Sequence, residues 1–291
     1  MTNTLKISNL INPFNKTITI DGDKSLSIRW ALLASQAEGK SKSINLLKSE
    51  DVISTLNCLK QLGIKIKLTD KYCEITGAGL NGYNYKKNLI LDSGNSGTLG
   101  RLIMGLLIHA KTKIKIKGDK SLSKRDFLRV TKPLEMFGAK FNTTSGKLPI
   151  IINGTKFAKP ITYHENKGSA QCKSSVMFAA LNTNGTTVIK AKKSRNHTEL
   201  LFKYLGLPIK IDKKKNYDLI KVNGLKKIKP FNYKIPSDIS SGAFFLILTA
   251  LSKNSKLVIK DMNINPSRIG VLKILRLMDI KIGVHNTKHN K

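Results

Sequence analysis

Apolar positions along this chain follow a pattern that returns about every seventy residues. Four near-continuous apolar stretches, ALLASQAEGK (31–40), GLLIHAKTK (105–113), FAALNTNGT (178–186) and LILTALSKNSK (246–256), each run into a turn of small or polar residues. Each is followed by a second stretch: LNCLKQLGIKIK, VTKPLEMFGAKF, LFKYLGLPIKI and ILRLMDIKI. In these, apolar residues recur at i, i+3 and i+4 and then alternate. The first spacing predicts a helix and the second a strand. One repeat thus reads as polar turn, apolar helix, small-residue turn, strand, amphipathic helix and strand. The chain holds four copies in register, which predicts a repeated α/β architecture.

The polar turns that open the first helix of each repeat are equivalent positions: GDKSLSIR (22–29), GNSGTLGR (94–101), GSAQCKSS (168–175) and SDISSGAF (237–244). Each puts Gly, Ser, Asn or Asp where the unpaired N–H groups of a helix N-terminus need acceptors. Such an end also favours an anion. SDISSGAF reads as a plain cap. The other three also carry Lys, Arg or Gln and read together as one divided anionic pocket. Second-helix entries LSKRDF, SRNHTE and INPSRIG each add an Arg. The octet GDKSLSIR returns as GDKSLSKR (118–125), yet the register places this second copy at a second-helix entry. The two copies are not equivalent, and Lys120 and Ser121 read as turn residues.

Charge sharpens the pocket. The 291 residues carry a formal net charge of +34, from 52 basic and 18 acidic side chains. The lysines form no single block and only 6% of residues are aromatic, so the charge reads as solvated lysine faces rather than a nucleic-acid surface. Only seven of the basic residues are Arg, and five of these (Arg29, Arg101, Arg125, Arg195 and Arg268) fall in the polar turns. In so Lys-rich a chain, Arg marks a planar bidentate donor, and hence an acidic, phosphorylated ligand. Three cysteines without a CxxC pair predict neither a disulfide framework nor a zinc site. The five His are dispersed and EGKSKS lacks the spacing of a phosphate loop, so no metal is expected. No apolar run is long enough to span a membrane, and MTNTLKISNL has no signal-peptide core; a cytoplasmic setting is the expectation.

At these turns the sequence resembles the 5-enolpyruvylshikimate-3-phosphate synthases. DGDKSLSIR resembles that family's PGDKSISHR element, and LDSGNSGTLGR its GNSGT-xx-R element. GDKSLSKRDFLRVTKPLEMFGA resembles the GD-SL--RP helix entry. GSAQCKSSVMFAAL, SRNHTE and IPSDISSGAFFL resemble SAQ-KS, SR-HTE and PGDISSAAFF. Six elements in the family order carry the resemblance through almost the whole chain.

The resemblance implies an inside-out α/β barrel of repeated βαβαββ-type units. It also implies transfer of the enolpyruvyl group of phosphoenolpyruvate to the 5-hydroxyl of shikimate 3-phosphate, with release of phosphate and no cofactor. By motif, Lys24, Ser25, Arg29, Ser169, Ala170, Gln171, Ser194 and Arg195 are expected to bind shikimate 3-phosphate. Lys24, Gly97, Arg125 and Gln171 are expected to bind phosphoenolpyruvate. Ser25 and Arg29, four apart, fall on one side of a helix.

The family has two domains of three repeats. Residues 22–233 are expected to form one complete domain, and residues 1–21 with 234–291 part of a second that holds one repeat of three. The family's catalytic Asp belongs to the part not matched here, so no catalytic residue is assigned. Completion by a second polypeptide or by self-association is the corresponding expectation, with weak or no turnover by this chain alone. Two positions depart from the family pattern. Trp30 stands where a small residue is usual, and Asp126 replaces a Pro, setting an acid beside Arg125 that would weaken its pull on an anion. Three readings compete: a fragmentary synthase that does not catalyse, the related UDP-N-acetylglucosamine enolpyruvyltransferase (with Asn at the position of Ser25), and a basic nucleic-acid-binding protein.

Overall fold

The structure, a computed structural model, describes residues 11–285. Residues 1–10 and 286–291, which the expected second domain includes, lie outside the described residues. The chain divides into two compact units, residues 22–235 and residues 11–21 with 236–285.

Strand β1 (Asn15–Thr19) precedes the first repeat, which runs α1 (Lys24–Ser35), β2 (Glu38–Ile44), α2 (Glu50–Gln61) and the hairpin β3 (Lys65–Leu68) and β4 (Tyr72–Ala78). The second runs β5 (Leu89–Asp92), α3 (Gly97–Leu106), β6 (Ile114–Lys117), α4 (Leu128–Glu135), β7 (Lys140–Thr144) and β8 (Lys147–Asn153). The third runs β9 (Thr162–Glu165), α5 (Ala170–Leu181), β10 (Thr186–Lys192), α6 (His197–Tyr204), β11 (Ile209–Lys213) and β12 (Tyr217–Asn223). The fourth comprises β13 (Asn232–Lys234), α7 (Ile239–Leu251), β14 (Lys256–Lys260) and α8 (Gly270–Leu277).

The larger unit carries three four-stranded sheets of one design: β13-β2-β4-β3, β5-β6-β8-β7 and β9-β10-β12-β11. In each, the first pair is parallel and the other two pairs are antiparallel. The strands alternate buried and exposed side chains, as in β6, where Ile114 and Ile116 point inward and Lys115 and Lys117 outward. The first helices are instead buried nearly all round. α1 buries ten of its 12 residues, α3 nine of ten and α5 ten of 12, the signature of helices surrounded by protein. Helices therefore form the interior and sheets the outer layer, which is the inside-out α/β arrangement expected from the sequence. Lysines occupy the solvated positions of those outer strands. Gly105 permits the closest approach inside: a Cβ there would sit 2.1 Å from the Ser175 carbonyl oxygen, so α3 and α5 pack backbone to backbone.

An exchange of strands links the repeats. β1 leads along the chain into α1, yet it pairs in parallel with β14. β13 leads into α7, yet it pairs in parallel with β2 and completes the first repeat's sheet. The fourth repeat departs from the expected pattern at its end. Residues 279–285, expected to begin with a strand after α8, adopt no regular structure. A strand needs a hydrogen-bonded neighbour, and the β1–β14 sheet has two strands among the described residues. α7 is as apolar as its counterparts, but only Ile239 and Gly242 of its 13 residues are buried. Phe244 and Leu251 are 78% and 81% exposed, and Leu277 of α8 is 85% exposed, so this smaller unit presents an open apolar face.

The repeated octet has a structural explanation. In GDKSLSIR, the Asp23 carboxylate accepts from the Leu26 amide at 2.9 Å and starts α1. In GDKSLSKR, the Asp119 carboxylate accepts from the Leu122 amide at 2.6 Å and starts a 3₁₀ turn, Leu122–Lys124. The same cap, followed by a buried Leu, is used at two non-equivalent helix entries.

Candidate functional site

All four polar turns cap their helices. Ser96 accepts from the Leu99 amide, Ser169 from the Cys172 amide and Asp238 from the Ser240 amide, matching Asp23. In the larger unit these caps fix where α1, α3 and α5 begin, and so place the residues of their first turns around one cavity of about 450 Å³. Ser25 and Arg29 of α1, Thr98 of α3, Gly168 to Gln171 at the start of α5, and Ser194, Arg195 and His197 at the start of α6 line it. Helix N-termini and side-chain donors thus converge, and no carboxylate is among the lining residues. Such a lining can receive an anion.

Arg29 anchors one wall. It is only 3% exposed, and its orientation is over-determined. Nε donates to Thr198 Oγ1 at 2.8 Å, one terminal nitrogen donates to Ser174 Oγ at 3.2 Å, and the other to the Ser25 carbonyl at 3.0 Å. The two hydroxyls are themselves bonded at 2.7 Å. Residues from α1, α5 and α6 meet in this network. Just behind it, Lys173 of α5 and Glu199 of α6 form a buried ion pair.

Gln171 is a second fixed point of the lining. Arg101 donates to its Oε1 at 2.8 Å and its Nε2 donates to Thr98 at 2.9 Å, which fixes the amide's orientation. Arg101 lies with its guanidinium 4.9 Å from the centre of the Phe127 ring. Burial pushes its pKa below the ordinary arginine value, and the nearby charges of Arg129 and Arg125 push in the same direction. Three guanidinium groups so close create a local demand for negative charge. Cys172 offers none at neutral pH, because burial raises its thiol pKa and keeps it protonated.

Of the ten residues expected at the site, Ser25, Arg29, Ser169, Ala170, Gln171, Ser194 and Arg195 line the cavity. Ser194 Oγ is buried there and has no hydrogen-bond partner among the described residues. Three others stand outside its lining. Lys24 forms an ion pair with Asp51 at 2.9 Å. Arg125 donates to Asn95 Oδ1 at 3.1 Å. Gly97 is buried beneath two guanidinium groups: a Cβ there would lie 2.8 Å from Arg101 Nη1 and 3.1 Å from Arg125 Nη1. Asp126, the acid beside Arg125, also has a local partner. Its carboxylate accepts from the Leu128 amide at 2.8 Å and caps the start of α4.

Sequence reasoning left out Thr98, Gly168 and His197 as lining residues, and Arg101, Ser174 and Thr198 as supports. Arg101 was within reach, because it is one of the seven scarce arginines and ends a polar turn. Thr198 and Ser174 carried no signal in the chain, since their partner Arg29 is 169 and 145 residues away.

The EPSP synthase (3-phosphoshikimate 1-carboxyvinyltransferase) family profile matches residues 9–291. The chain is 39% identical over 281 residues to the 3-phosphoshikimate 1-carboxyvinyltransferase of Streptococcus mutans, covering 96% of this chain and 65% of that protein. It is 40% identical over 280 residues to the enzyme of that name from Thermoanaerobacter sp., covering 94% and 64%. The solved structure of EPSP synthase from Acinetobacter baumannii superposes with a TM-score of 0.84 at 35% identity, over 92% of this chain and 60% of that one. The chain thus spans a little under two thirds of the length of these relatives.

Proposed function

The chain belongs to the EPSP synthase family, and from that premise we propose that its larger unit binds shikimate 3-phosphate in the cavity at the N-termini of α1, α5 and α6. The reaction served is enolpyruvyl transfer from phosphoenolpyruvate to the 5-hydroxyl of that ligand, with release of phosphate. One observation carries the reading: a nearly buried Arg29, held by hydroxyl and carbonyl oxygens, faces a cavity lined by donors and free of carboxylates. Such a guanidinium is pre-oriented for phosphate.

In this reading Ser25, Arg29, Ser194 and Arg195 take the phosphate and ring hydroxyls, and Ser169, Ala170 and Gln171 close over the ring. Phosphoenolpyruvate lies on the side of Gly97, Arg125 and Gln171, with Lys24 reaching both ligands once its pairing with Asp51 is loosened. The close approach of Arg101 and Arg125 to Gly97 supports this second site. A cavity lining without Asp or Glu supplies binding and orientation. The carboxylate base for the transfer is assigned to protein beyond the four repeats.

The apolar face of α7 and α8 is the docking surface for that protein. Residues 22–233 act as the complete ligand-binding domain and the smaller unit as part of its partner. The four repeats alone are expected to bind shikimate 3-phosphate while releasing phosphate from the two substrates far more slowly than a full-length relative. A phosphate-release assay at equal protein concentration measures this, and a rate equal to the relative's contradicts it.

A second test separates the two ligand sites. Arg125→Lys keeps the charge but loses the planar fork, so phosphoenolpyruvate binding is expected to weaken by about 1–2 kcal/mol, roughly five- to thirtyfold. Shikimate 3-phosphate binding should change less than twofold. Titration calorimetry with each ligand decides, and equal losses for both would remove Arg125 from the phosphoenolpyruvate site.

A further inference from the structure

We propose that the buried Lys173–Glu199 ion pair is a positioning device for Arg29, and that it sets the cavity's affinity for the phosphorylated ligand. The second clause rests on the reading above. The first stands on geometry alone.

The pair is hard to explain as a stabiliser. Lys173 is fully buried and Glu199 is 3% exposed, so both charges have left water. Desolvation of such a pair offsets most of its attraction, and apolar residues of similar volume commonly serve stability as well or better. What the pair provides is a fixed geometry between α5 and α6 at one particular turn of each. Ser174 directly follows Lys173, and Thr198 directly precedes Glu199. These two hydroxyls meet at 2.7 Å and are the acceptors for Arg29 Nη2 and Nε. The ion pair and the hydroxyl pair therefore join the same two helices at adjacent positions. Two neighbouring ties fix both the spacing of the helices and the rotation of α6 about its axis, where one tie would leave the rotation soft.

That rotation matters because Arg29 comes from a third helix. Both hydroxyls must stand at the right separation for one planar guanidinium to reach them together. Hydrogen bonds between neutral hydroxyls are too weak to impose that separation on two helices. A buried ion pair, unscreened by salt, can impose it. Because Lys173 and Glu199 cancel each other's charge, the device also leaves the charge of Arg29 directed at the cavity.

The test uses the full chain carrying Lys173→Met and Glu199→Leu together. The variant is expected to fold with a urea midpoint equal to or above that of the parent, since no charge is left unpaired. The Arg29 Nε–H resonance, assigned by its loss in Arg29→Lys, should exchange with water at least about tenfold faster, while amides in the core of α5 keep their protection. Shikimate 3-phosphate should bind about tenfold more weakly. In an Arg29→Ala background the same double substitution should cause no further loss, because the pair acts through that residue.

Unchanged Nε–H exchange in the folded variant, or an equal loss of affinity with and without Arg29, overturns the proposal. Should Met and Leu prevent folding, Lys173→Gln with Glu199→Gln keeps the shape and removes the charges, with the same expected readings. If the parent chain fails to bind shikimate 3-phosphate, the functional reading falls. The exchange measurement then still decides whether the pair positions Arg29.

Discussion

Arg29→Lys is expected to weaken shikimate 3-phosphate binding by about 2–3 kcal/mol, roughly thirty- to 150-fold, while leaving the fold intact. Lysine keeps the positive charge, so a purely electrostatic role would predict a small change. The structure argues for a geometric role. The guanidinium is held flat by Thr198, Ser174 and the Ser25 carbonyl, and that plane is what orients its donors toward the cavity. An ammonium on a flexible stem cannot satisfy two hydroxyls and a carbonyl while facing the ligand. The Ser174 and Thr198 hydroxyls remain bonded to each other in the variant, so the substitution strands no buried acceptor pair. Titration calorimetry, with a urea unfolding curve to check the fold, measures both consequences. A loss of less than threefold in a stable variant would mean that Arg29 is structural.

Trp30→Ala is expected to cost about 3–5 kcal/mol of stability, enough to shift a urea midpoint by more than 1 M or to prevent folding outright. Trp30 directly follows Arg29, at a position where the resemblance leads one to expect a small residue. In this chain the indole is fully buried and meets Phe231 edge-on at 6.5 Å. The large side chain fills space under α1 that a small one would leave empty. Its ring N–H is buried without an acceptor among the described residues, so part of its packing gain is already offset. Trp30→Phe should consequently cost much less than Trp30→Ala. If both variants cost the same, the ring N–H is not the liability the geometry shows. If the Ala variant is as stable as the parent, the core has repacked around α1.

How far the sequence reached follows from what each feature depends on. The repeat pattern and the capped helix starts depend on local spacing and were legible, while the seven cavity residues were reached through the resemblance of short motifs to a known family. Helix caps involve partners three residues apart, as with Ser169 and Cys172. The outward lysines of β6 follow directly from its alternation. Features that join distant segments were not legible. The exchange of β1 and β13 between repeats leaves each strand's own pattern unchanged, and only pairing reveals it. The Arg29–Thr198–Ser174 network unites three helices whose sequences carry no mark of one another. Asp126 has a local partner that its motif does not announce. Its carboxylate turns to the Leu128 amide, as acids at helix starts commonly do.

The claim that organises the rest is that residues 22–235 hold a ready-made site for shikimate 3-phosphate. Titration of the chain with that ligand, with UDP-N-acetylglucosamine and with single-stranded RNA at two salt concentrations tests it most directly. One molecule of shikimate 3-phosphate bound per chain, with the weakening in Arg29→Lys given above, no sugar-nucleotide binding and no salt-steep RNA retention, is the predicted result. RNA retention that falls steeply with salt, without binding of shikimate 3-phosphate, would contradict the account and return the excess of lysine to centre stage.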